Sequence, residues 1–147
     1  MRHQLAIMLL LPIVAVAAFA QDQPSDVQLE ATLASGVLHP GDSTDMILKF
    51  TPAEGIHLNA DPPARVAFDS ASVLTPVGEL QQVTEEDEGT VYTPEPLHQR
   101  VALRPGARPG RYSVGGTVTY FFCSGTEGWC RRKVEHVQLQ VTAVARQ

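Results

Sequence analysis

From Val27 onward apolar and polar side chains alternate in short runs, and no stretch after the first twenty residues holds the spacing of an amphipathic helix. Val27, Leu29, Ala31 and Leu33 alternate with Gln28, Glu30 and Thr32, which predicts a first strand turned by His39-Pro40-Gly41-Asp42. Met46, Leu48 and Phe50 share one face of a second, closed by Thr51-Pro52-Ala53-Glu54-Gly55. Ile56 to Asn59 reads as a short third or edge strand, broken by Asp61-Pro62-Pro63 because proline has no N–H to give to a ladder. Weaker strands are expected near Arg65 to Phe68 and Val73 to Val77. The Glu85-Glu86-Asp87-Glu88 run is expected to be a solvated loop, and Val91-Tyr92-Thr93-Pro94-Glu95-Pro96 more loop than strand. Alternation resumes from His98 to Arg104, before the strongest turn signal, Pro105-Gly106-Ala107-Arg108-Pro109-Gly110. Tyr112, Val114, Gly116, Val118, Tyr120 and Phe122, then Val137, Leu139 and Val141, give the clearest period of two. About seven to nine short antiparallel strands with such turns predict an all-β sandwich. There is no internal repeat and no low-complexity segment.

The first twenty residues follow another rule. Arg2 and His3 precede an uncharged run from Leu5 to Ala18, which ends in Ala18-Phe19-Ala20. That is the charge, length and small-residue pattern of a secretory signal peptide, too short for a comfortable membrane span. Residues 1–20 are therefore expected to be removed, leaving one soluble exported domain at residues 21–147 with no membrane span and no lipid-bearing cysteine. The chain carries 16 acidic and 11 basic side chains, and Arg2 belongs to the leader, so the balance argues against nucleic-acid binding.

Export changes the meaning of Cys123 and Cys130, the two cysteines of the chain. Outside the cytosol they are expected to oxidise to one disulfide. They sit at the facing ends of the last two predicted strands, around Ser124-Gly125-Thr126-Glu127-Gly128-Trp129. Closing so short a loop removes roughly 2 to 3 kcal/mol of unfolded-chain entropy, a weak staple beside a bond linking distant strands. Near a hairpin tip a partner thiolate could instead reach a sulfur. Arg131, Arg132 and Lys133 follow at once, and positive charge favours a thiolate; the same triplet also suits a solvated edge strand. The spacing is not C-x-x-C, so taken alone it favours a structural bond.

The segment Tyr120-Phe121-Phe122-Cys123-Ser124-Gly125-Thr126-Glu127-Gly128-Trp129-Cys130-Arg131 resembles the cysteine hairpin of the N-terminal domain of the DsbD family of bacterial thiol:disulfide interchange proteins. The likeness extends more weakly to Gly55-Ile56-His57-Leu58-Asn59 and to the strands at Val101 and Tyr112. The resemblance implies an immunoglobulin-like β-sandwich in the periplasm, with Cys123 and Cys130 as a redox pair that needs no cofactor. It implies Cys130 as the sulfur that forms mixed disulfides and Cys123 as the resolving one. Partners would be thioredoxin-like periplasmic proteins or a membrane electron donor, acting in trans because the chain ends at Gln147 without further domains. A cap loop over the disulfide would fall between Glu85 and Pro96, with Tyr92 as its aromatic shield.

Other readings stay open. The same sandwich serves as an exported binding module, in which the disulfide is purely structural and Trp129, Phe121 and Phe122 are contact or core residues. His57, His98 and His136 accompany the cysteines, but at no spacing characteristic of zinc or copper, so no metal is expected; His136, alternating with Val137 and Leu139, is expected to face solvent. Ser124 lies in no nucleophile elbow, and nothing resembles a hydrolytic set.

Overall fold

The two clearest alternating runs become the two longest strands, paired without a bulge from Gly110↔Ala143 to Cys123↔Cys130. In the computed structural model, which describes residues 25–87, 90–93 and 96–146, all regular secondary structure is β. In chain order the strands are β1 (Val27–Leu33), β2 (Val37–Leu38), β3 (Ser43–Pro52), β4 (Ile56–Asn59), β5 (Arg65–Phe68), β6 (Leu74–Pro76), β7 (Glu85–Asp87), β8 (Thr90–Tyr92), β9 (Leu97–Leu103), β10 (Gly110–Ser124) and β11 (Cys130–Ala143). One sheet runs β1-β3-β9-β6, the other β2-β11-β10-β4-β8-β7, with β5 also on β10. The fold is an all-β sandwich of two sheets, as the alternation predicts.

The strand number exceeds the expected seven to nine because very short segments join the sheets. β2 adds to β11 at Thr142 and Ala143, and it does so in parallel. The acidic run requires a correction: Glu85–Asp87 is a strand, paired with Thr90–Tyr92, which was expected to be more loop than strand. β7 lies at the end of its sheet, where one side of the ladder meets water and carboxylates are tolerated, indeed useful against further pairing. Pro94 and Pro96 follow β8 in sequence and so do not interrupt it. The expected signal peptide lies outside the described residues. Within them no helix is long and apolar enough to cross a membrane.

The core lies between the sheets. Met46, Leu48, Leu97, Val101 and Leu103 come from one side, and Leu58, Val114, Val118, Tyr120, Phe122, Leu139 and Val141 from the other. Each such side chain contributes about 1.5–3 kcal/mol by leaving water. Gly116 belongs to the inward series of β10 but cannot be larger: a Cβ there would stand 2.8 Å from the Ala67 carbonyl oxygen of β5. Its absence lets β5 close onto β10 at Gly116↔Phe68.

Candidate functional site

Strict period two divides the β10–β11 hairpin into two faces. Val114, Val118, Tyr120 and Phe122 point inward with their partners Leu139, Glu135, Lys133 and Arg131; Thr119, Phe121 and Cys123 point outward with Val134, Arg132 and Cys130. The cysteines therefore sit on the outer face, at the tip.

Ser124 N donates to the Trp129 carbonyl at 2.9 Å, which makes 124 and 129 a hydrogen-bonded pair. Cys123 and Cys130 are then the adjacent non-hydrogen-bonded pair, the position where opposed side chains approach most closely. Their Cα atoms are 4.1 Å apart and the sulfurs are bonded. The expected disulfide is present.

The two cysteines live in unlike surroundings. Cys123 stands inside the sheet, with Cys130 of β11 on one side and His57 of β4 on the other, and is 5 % exposed. Cys130 is exposed. The other neighbour of its strand, β2, pairs only at Thr142 and Ala143, so among the described residues no strand pairs with the edge of β11 beside Cys130.

The loop between them is ordered by its own polar groups. Ser124 Oγ accepts from Glu127 N at 3.0 Å, Gly128 N donates to Ser124 O at 3.0 Å, and the Trp129 indole N–H donates to the Glu127 carboxylate. Gly128 holds φ at +72°, the left-handed conformation that closes the turn at least cost in glycine. Gly125 N donates to Gly55 O at 3.0 Å, tying the loop to the turn before β4.

Behind the disulfide, on the inner face, aromatic rings run outward from the core. Phe50 and Tyr120 are 4.9 Å apart, Tyr120 and Phe122 6.1 Å, and Phe122 and Trp129 5.9 Å, the first and last of these edge to face. The Arg131 guanidinium closes the series 4.2 Å above the Trp129 ring and pairs with Asp26 at 3.6 Å. Tyr120, wholly buried, donates its hydroxyl proton to Glu135 at 2.5 Å, and Lys133 meets Glu135 at 3.5 Å and the Val27 carbonyl at 3.3 Å. Burial, then the hydrogen bond and the negative charge of Glu135, push the Tyr120 hydroxyl far above the ordinary tyrosine value.

These placements sort the residues singled out from the sequence. Cys123 and Cys130 are brought together. Arg132, two positions from Cys130, shares its face and stands opposite Phe121; Arg131 lies on the other face, occupied by Trp129 and Asp26. Tyr92 stands opposite Asn59 in the β4–β8 ladder, with β4 between it and Phe121, and its side chain is outside the described ones. Phe122 is core, and Trp129 is half-buried against it. His98 is in the other sheet and His136 is exposed, opposite Thr117, far down the hairpin. Among the described residues no three His, Cys, Asp or Glu converge on a metal position. The place of His57 beside Cys123 was not legible, because the β4–β10 register leaves no mark in either segment.

The arrangement sets an exposed residue, Cys130, beside a buried one, Cys123, across one disulfide. The sequence matches no protein-family model and no curated protein. Among solved structures it is similar to the cohesin–dockerin complex Coh-OlpA–Doc918 of Clostridium thermocellum, at 12 % identity and TM-score 0.43, over 79 % of this chain and 99 % of that one. It is also similar to AggA, the major subunit of aggregative adherence fimbriae type I of Escherichia coli, at 12 % identity and TM-score 0.37, over 82 % and 97 % of the two chains.

Proposed function

We propose that this is an exported thiol:disulfide exchange module, in which Cys130 meets the partner and Cys123 resolves the mixed disulfide. The observation that carries the reading is the unequal exposure of two bonded cysteines at a hairpin tip. A cross-link between strands already paired along their whole length adds little to the fold, and an exposed cysteine with a buried partner gives exchange a direction. The bond itself favours an oxidising compartment, and the leader-like residues 1–20 favour export, with the periplasm the compartment implied by the DsbD-like hairpin.

In the reducing direction the Cys130 thiolate attacks a partner disulfide, forming a mixed disulfide and releasing one partner thiolate. Cys123 then attacks Cys130 Sγ, restoring the Cys123–Cys130 bond and releasing the partner as a dithiol, two electrons richer. A thioredoxin-like dithiol or a membrane electron donor would supply electrons by the reverse path, with its own thiolate attacking Cys130.

The test is trapping with a thioredoxin-like protein. Cys123→Ser should accumulate a mixed disulfide through Cys130, and Cys130→Ser should abolish exchange; full exchange by Cys130→Ser overturns the assignment. The reduction potential bears on the same question. A value of about −180 to −270 mV fits exchange, whereas one below about −300 mV makes the bond structural and the protein a binding module.

A further inference from the structure

The exposure pattern that directs a partner to Cys130 creates a difficulty at Cys123. When a partner thiolate attacks Cys130 Sγ, the S–S bond breaks and its electron pair passes to Cys123 Sγ, at a residue only 5 % exposed. Burial disfavours a bare thiolate, and a thiolate left without solvent or a proton is a slow leaving group. A proton donor beside Cys123 removes the difficulty, and the sheet supplies a side chain of that kind.

His57 stands directly opposite Cys123 in the β4–β10 ladder, so Cys123 is flanked by Cys130 on one strand and an imidazole on the other. Directly opposed residues have Cβ atoms about 4.5–5.5 Å apart and face the same way. The ring is held against the cysteine loop: Nδ1 would lie 4.0 Å from a Cβ at Gly125, and Nε2 is buried. The Gly125–Gly55 hydrogen bond fixes that loop to the turn from which β4 starts.

We propose that His57 is the proton donor and acceptor of Cys123; the proposal rests on the exchange reading above and deepens it. During reduction of the disulfide the imidazolium gives its proton to the departing Cys123 thiolate, leaving Cys123 as a thiol in the mixed disulfide. The partner's second thiolate then attacks its own bridged sulfur, releasing Cys130 and leaving the partner oxidised. In the opposite direction neutral imidazole takes the Cys123 proton, and the thiolate formed attacks Cys130. Among the described residues, the charged or titratable groups near this end of the face by register are Cys123, Cys130 and Arg132 of the hairpin, Arg65 of β5 opposite Thr119, and Glu85 of β7 opposite Tyr92; His136, opposite Thr117, and Asp69, over Gly115, lie on the same face farther from the tip.

The test is the rate at which dithiothreitol reduces the oxidised full chain, divided by the fraction of dithiothreitol present as thiolate. It is measured from about pH 8 to about pH 5.5, the interval in which histidines change charge. The wild type should speed up toward acid, while His57→Gln and His57→Asn stay flat and are about tenfold slower at the acid end. Profiles that superimpose overturn the proposal. So does a wild-type profile without an acid-side rise, a result that needs no variant to fold. Dithiothreitol reads the histidine whether or not the protein is an exchanger. If the profile depends on His57 while the wild type exchanges with no thioredoxin-like protein, the exchange reading falls and the His57–Cys123 proton pair stands.

Discussion

The inner and outer faces of the β10–β11 tip are built from the same few residues in alternation, yet they carry different work. Inward, Tyr120, Phe122, Trp129 and Arg131 each have a partner, in a series that begins at Phe50 and ends on Asp26. Outward, a disulfide joins one buried and one exposed residue, and Val134, 44 % exposed, stands bare two places beyond Arg132. Rigidity is supplied from behind, so the outer face can leave Cys130 exposed without loosening the fold. Because side chains alternate, a register slip of one residue would exchange the two faces entirely.

The largest effect that would expose this division is on stability. Phe122→Ala, which removes a buried ring from the inner row, should lower the free energy of unfolding in urea by about 3–5 kcal/mol. Replacing both Cys123 and Cys130 by alanine should cost about 2.5 kcal/mol or less, since the loop is short and its strands are paired anyway. If the pair costs more than the ring, the disulfide is a staple and the division is wrong.

A smaller effect concerns the buried hydroxyl. Tyr120 has its pKa raised in the folded protein, so the stability it contributes is complete below about pH 10 and is lost as pH rises beyond that, where the unfolded chain releases a proton that the folded one keeps. Tyr120→Phe should cost about 1 kcal/mol at neutral pH through the lost hydrogen bond to Glu135. It should also remove the alkaline decline, so the two stability curves converge above about pH 10. Parallel curves through that range would show that burial and Glu135 do not hold the proton on Tyr120.

How much of this was legible follows from what each residue had to satisfy. Met46 and Leu48, Val114, Val118, Tyr120 and Phe122, and Leu139 and Val141 face one way because one side of their strand is core, so their order alone announced strand and face. The cysteines were legible as a facing pair, since only a loop separates the two strands. Glu85 to Asp87 misled because charge suits a loop and a sheet edge equally, and nothing local says which. β2 was silent because its parallel pairing with β11 joins Val37 to Thr142, across most of the chain. His57 beside Cys123 is the same kind of silence, a pairing between distant segments. The functional asymmetry was hidden for that reason: the exposure of Cys130 and the burial of Cys123 depend on which strands do and do not flank them.

The smallest effect divides two adjacent arginines that the sequence presents as equivalent. Arg131 stacks on Trp129 and pairs with Asp26, both near solvent, so Arg131→Ala should cost under about 1 kcal/mol of stability. It should leave the rate of disulfide reduction unchanged. Arg132 shares the face of Cys130 and is exposed, so Arg132→Ala should leave stability unchanged. It should slow reduction by glutathione, an anionic thiol, by about two- to threefold at low ionic strength, and the difference should fade as salt screens the attraction. Stopped-flow reduction at two salt concentrations, beside urea unfolding, reads both. If Arg131→Ala slowed the reaction while Arg132→Ala did not, positive charge would be reaching the sulfur from the packed face, and alternation would not be what separates reactivity from packing.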